Sequence, residues 1–104
     1  MAYIPTPQKS WQVTVTTGFS QTIPDGITIA IFNSAIALLA GTIILPANPL
    51  DGQPLTIIAQ KGIVAAVVQA NTGQTQAGPA ISAAGVYVPI RFKYSAINQT
   101  WYPN

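Results

Sequence analysis

Turn-forming residues punctuate this chain so often that little room is left between them for a long helix. Gly18, Pro24-Asp25-Gly26, Gly41 with Pro46, Asn48-Pro49-Leu50-Asp51-Gly52, Lys61-Gly62, the polar residues 71–79 and residues 95–99 break the sequence into short runs. In Pro24-Asp25-Gly26, Pro presets φ, Asp bonds the nearby backbone and Gly accepts a positive φ. Between the breaks, apolar and polar residues alternate. Trp11, Val13 and Val15 oppose Gln12, Thr14 and Thr16. Val86, Val88, Ile90, Phe92 and Tyr94 oppose Tyr87, Pro89, Arg91 and Lys93, the clearest such run. A period of two is the signature of a half-buried strand. Pro89 lacks a donor and favours an edge or a bulge.

Further strands are expected at 27–32, 42–45, 55–59 and 63–68, with a short one at 81–84 and a closing hairpin at 100–102. Residues 34–40 make barely two helical turns before Gly41, so strand or irregular backbone is preferred there. Many short strands with turn signals about every 8 to 12 residues predict an all-β fold, a small antiparallel β-sandwich or jelly-roll-like barrel. Asp25-Gly26 before Thr28-Ile29 is echoed by Asp51-Gly52 before Thr56-Ile57, with different spacing, and reads as two similar hairpin turns. The expected organisation is a single β-domain over residues 11–104, preceded by an extended arm over residues 1–10. Pro5 and Pro7 give that arm polyproline-like geometry.

Composition limits the chemistry. Charged residues are 6% of the chain, and there is no Cys, no His and no Glu. The acids are Asp25 and Asp51; the bases are Lys9, Lys61, Arg91 and Lys93. Both acids sit in Asp-Gly turns, where the backbone explains them. A Ser nucleophile would need a base beside it, and no Lys lies near a Gly-framed Ser. Two carboxylates make no oxygen-ligand cluster for a metal. Gly73 and Gly78 are not followed by a phosphate-binding Lys. The expectation is therefore a non-enzymatic protein with no catalytic residues, no metal ligands and no cofactor.

Arg91 and Lys93 share a strand face with Tyr87, and Trp101 is expected nearby. Four cations attract phosphate weakly, so this reads as a solvated strand face and not as a nucleic-acid site. Residues 27–45 are long enough to span a bilayer. Thr28, Asn33, Ser34 and Thr42 interrupt them, and Asp25 and Asp51 flank them, which argues against a membrane partner. The first ten residues show no signal peptide. Asn98-Gln99-Thr100 matches a glycosylation acceptor and reads as a turn.

Residues 26–50 and 62–90 carry no charge, although 49% of the chain is hydrophobic. Something other than water is expected to cover part of this surface. Residues 63–68 are apolar at alternate positions of both registers, as in a strand buried on both faces. Such a strand lies between sheets or between subunits; in the second case Ile63, Val64, Val67 and Val68 are the expected subunit interface, and an oligomer would also hide part of the run 35–39. In the arm, Tyr3, Ile4, Pro5 and Pro7 are the expected attachment or subunit contacts, the alternative being a frayed terminus. Tyr87, Trp101 and Tyr102 are candidate exposed rings for a ligand, although Trp11 and Trp101 read first as core or interface anchors.

One set of short motifs points further. Ile44-Leu45-Pro46, Pro49-Leu50-Asp51-Gly52-Gln53 and Leu55-Thr56-Ile57 are followed by Asn71-Thr72-Gly73-Gln74-Thr75 and Ala77-Gly78. The set closes on Ile90-Arg91-Phe92-Lys93-Tyr94-Ser95 and Asn98-Gln99-Thr100-Trp101-Tyr102. As a set, residues 42–102 resemble a module of tailed-bacteriophage virion surface proteins: capsid decoration proteins, head fibres and tail-fibre domains. The resemblance covers a little over half the chain. It implies an all-β homotrimer that projects from the capsid exterior, bound to the major capsid or another virion protein. The short chain, ending just past its last hairpin, favours a decoration or head-fibre subunit. The alternative it implies is a receptor- or glycan-binding module of a tail fibre or spike.

Overall fold

The structure, a computed structural model, describes residues 9–78 and 80–104. Nine strands follow one another among those residues: β1 (Ser10–Thr14), β2 (Phe19–Thr22), β3 (Ile29–Asn33), β4 (Leu38–Ile44), β5 (Pro54–Ala59), β6 (Ile63–Gln69), β7 (Thr75–Gln76), β8 (Ile90–Ser95) and β9 (Thr100–Pro103). The all-β expectation holds. The antiparallel sandwich or barrel does not.

The first six strands form three stacked coils of a β-solenoid. Odd strands β1, β3 and β5 pair in parallel on one side, and β2, β4 and β6 pair in parallel on the other. After the third coil the direction changes. β8 runs antiparallel to β5, β9 antiparallel to β8, and β7 joins the far edge of β9 in parallel. The result is a six-stranded sheet in the order β1-β3-β5-β8-β9-β7 facing a three-stranded sheet in the order β2-β4-β6.

Alternation says which face of a strand is inside but not whether its neighbour runs up or down. An Asp-Gly turn suits a solenoid corner as well as a hairpin. The echo between Asp25-Gly26 and Asp51-Gly52 is therefore a true repeat: the two corners lead into neighbouring parallel strands, with Ile29 beside Thr56. The coils differ in length, from residue 10 to 29 and then from 29 to 56, which hides the period.

The interior is built from ladders in which a large side chain stands beside a small one. Trp11, Ala30 and Ile57 share one rung; Val13, Phe32 and Ala59 share the next. Across the core, Phe19 stands beside Gly41, and Gly41 beside Ala66. Phe32 ties the two sheets together, with Trp11 edge-on at 5.8 Å and Phe19 stacked at 5.6 Å. Such aromatic pairs contribute about 0.5–1.5 kcal/mol beyond burial. Trp101 and Phe92 close the core beneath the β8–β9 hairpin.

Four further expectations need correction. Residues 42–45 are not a separate strand, because β4 runs straight through Gly41. The clearest expected strand, 86–94, is extended only from Ile90 onward. Tyr87 has φ 58°, which breaks the extended backbone, and Pro89 cannot donate to a ladder. The strand 63–68 is buried on one face only: Ile63 and Val68 are in the core, whereas Val64 and Val67 are exposed. Ser10, placed in the arm by sequence, belongs to β1. Lys9 is already held: its carbonyl accepts from the Thr28 and Ile29 amides at 2.9 and 3.1 Å.

Candidate functional site

Polar side chains staple the corners of successive coils. Asp25 accepts from the Asn48 amide at 3.0 Å and from Asn48 Nδ2 at 2.9 Å. These two bonds hold its carboxyl below the ordinary Asp range. Asp51 accepts from the Ala96 amide at 3.0 Å, tying the third coil to the β8–β9 turn. Buried Gln53 donates to the Ile27 carbonyl at 3.1 Å and accepts from the Leu50 amide at 2.9 Å. Gln74 donates to the carbonyls of Pro46 and Ala47 and accepts from Trp101 Nε1 at 2.9 Å. Both carboxylates thus hold corners together. No group of three or more His, Cys, Asp or Glu stands within reach of a metal ion among the described residues.

What the described chain leaves uncovered is apolar and uncharged. In the β2-β4-β6 sheet, buried Leu38 pairs with buried Ile63 and Ala40 pairs with Ala65, and Leu39 and Val64, which follow the first pair along their strands, are exposed. Leu39 is 68% exposed, Val64 67% and Val67 51%. None of the three strands carries a charged residue. Parallel sheets are normally covered on both faces; here none of the described strands covers the outer one. Two of the four expected interface residues, Val64 and Val67, lie on this face. Ile63 and Val68 do not: both are in the core, five residues apart, because the strand's alternation is broken where Val64 and Ala65 are exposed in succession. Residue 39 fell in the run expected to contribute in part.

The expected ring contacts separate. Tyr87 is 67% exposed, between exposed Val86 and Val88. Tyr102 is 40% exposed and accepts from Asn98 Nδ2 at 3.0 Å. It stands beside Lys93 across the β8–β9 ladder. Trp101 is fully buried against Tyr94, with ring centroids 5.0 Å apart, and offers nothing to a ligand. Strand alternation puts it on the opposite face from Tyr102. Tyr3, Ile4, Pro5 and Pro7 lie outside the described residues. No helix among the described residues is long and apolar enough to cross a membrane.

The end of the solenoid formed by the first coil is a surface the sequence reading missed. β1 and β2 each have a hydrogen-bonded strand on one side only among the described residues. The inward side chains Trp11, Val13 and Phe19 are only partly buried there. The available signal was the absence of charge and Pro from residues 10–23.

No family model matches this chain, and no curated protein does. Its architecture is similar to part of a solved structure described as "Structure of a chaperone-substrate complex", with a TM-score of 0.51 and 16% identity over 80% of this chain. The chain spans 14% of the length of that one. At this identity the likeness is one of fold alone.

Proposed function

We propose that this chain is a non-enzymatic structural subunit of a larger assembly, a decoration or head-fibre protein on the exterior of a tailed-phage capsid. The observation that carries the assembly reading is the uncharged outer face around Leu39, Val64 and Val67. Burying apolar area is favourable by about 25 cal/mol per Å². A face lacking charges has no desolvation cost of ions to offset. Packing three such faces about a common axis would give the homotrimer that the phage resemblance implies.

The virion assignment rests on that resemblance. The motif residues that carry it have coherent structural duties: Asp51, Gln53 and Gln74 staple corners, and Trp101 fills the core. Their recurrence as a set therefore makes sense as the mark of one fold. Outward Tyr87 and Tyr102 supply what the receptor- or glycan-binding alternative would need, now without Trp101.

A stained gel of purified particles decides between the readings. A decoration protein gives a 10.9 kDa band comparable to the major capsid protein. A near-absent band favours the tail alternative, and complete absence removes the virion assignment. Native mass spectrometry of the purified chain addresses assembly, and Leu39→Lys with Val64→Lys should reduce the oligomer. If that double variant keeps the wild-type mass, this face is not the contact.

A further inference from the structure

The two ends of the solenoid are treated differently by the chain. At the far end, β5 is covered by β8. β6 is partly covered as well: Ile63 and Ala84 exchange amide–carbonyl bonds at 2.8 and 2.9 Å, and the Ala66 amide donates to the Ser82 carbonyl at 3.0 Å. The outer strands there are also blunted, since β7 has two residues and β8 carries Arg91 and Lys93. At the first coil neither device is present among the described residues. Natural edge strands are protected by charges, Pro or bulges, and residues 10–23 contain no charge and no Pro.

We propose that two copies of this chain join end to end through their first coils, β1 against β1 and β2 against β2 about a two-fold axis, so that both sheets continue through the junction. Two features favour a second copy as the occupant. A two-fold axis at Gln12 sets Trp11 beside Val13 of the second copy on the inner face, an aromatic and β-branched pair of the kind that stabilises antiparallel strands. The same axis sets Lys9 beside Val15 of the second copy. The two Lys9 charges are then about 20 Å apart along the strands, beyond the ~8 Å screening length at physiological salt.

The chain has no Cys, which permits a direct test. Opposed residues of an antiparallel pair lie at distances a disulfide can bridge. Gln12→Cys, mildly oxidised, should give a covalent dimer in high yield, and Val64→Cys should not give it in comparable yield. Solution molar mass of the wild type should be an even multiple of the chain mass: a dimer, or a hexamer if the sideways trimer also forms. Gln12→Lys with Ser20→Lys, on the outward positions of both edges, should halve it while circular dichroism stays unchanged. A monomer or a plain trimer as the wild-type species overturns the proposal, as does a Gln12→Cys chain that stays monomeric on oxidation. The result is independent of the virion assignment: an end-to-end pair with no particle band removes only the latter.

Discussion

The Phe19 ring occupies the space where a Cβ on residue 41 would lie, so Gly41 is the socket that lets the first coil pack on the second. Overpacking a core costs about 1–3 kcal/mol. Gly41→Ala should therefore lower the urea midpoint measurably, and Gly41→Val should lower it more. Phe19→Ala should partly rescue Gly41→Ala, because the clash is between these two groups, with a coupling of about 0.5–3 kcal/mol in the cycle. Additive effects would show that Phe19 does not lie where the structure has it.

Trp101 and Gln74 form the second stability test. Trp101→Ala removes the largest buried side chain and should cost about 3–5 kcal/mol. Gln74→Ala leaves the indole N–H without its acceptor and should cost about 1–3 kcal/mol. Applied to the Trp101→Phe background, Gln74→Ala should cost less, since no N–H remains to be orphaned. Denaturant titration of the four proteins checks this.

Gly52 separates conformational strain from crowding. Its φ is 75°, and a Cβ there would meet nothing within 4 Å. Gly52→Val should cost about 1–3 kcal/mol through backbone strain alone. Gly52→Asn, which tolerates the left-handed region, should cost clearly less. Equal melting temperatures for the two variants would remove the strain argument.

Asp25 sets the expected pH dependence. Its carboxyl is held below the ordinary range first by Asn48 Nδ2 and then by the Asn48 amide. A depressed native pKa means that the stabilisation is complete above the unfolded value and is lost as pH falls through the native one, so the loss sets in below about pH 4. The group is exposed, and added salt should weaken the effect. Asp25→Asn should flatten the acid limb of a stability–pH curve by lowering the neutral plateau, and leave the acid end little changed. An unaltered acid limb would assign that loss to another group.

The strand content of this chain was largely legible in its sequence because a period of two reports directly on which side chains face a core. Trp11, Val13, Phe92 and Tyr94 were all assignable in this way. The assignment of Asp25 and Asp51 to turns was legible too, since Asp-Gly chemistry is local. Val64 and Val67 could be singled out as apolar without cover, but not separated from Ile63 and Val68. A run apolar in both registers has no internal marker of which face is inward.

The direction of strand pairing was not legible. Ile29 beside Thr56 in parallel and Leu55 beside Phe92 in antiparallel look alike locally, because each strand shows the same alternation whatever its neighbour does. The choice lies in long-range closure: whether the chain between two strands turns back at once or first builds the opposite sheet. That depends on which distant side chains fill one another's gaps, such as Phe19 over Gly41 and Trp11 against Phe32. By itself the sequence determined a charge-poor, all-β chain with turns at Asp25-Gly26 and Asp51-Gly52. Only the tertiary structure decided that those turns are corners of one solenoid, that Trp101 is inside and Val64 outside, and that among the described residues β1 and β2 each pair on one side only. Burial and pairing are properties of the assembled ladder, and no single segment carries them.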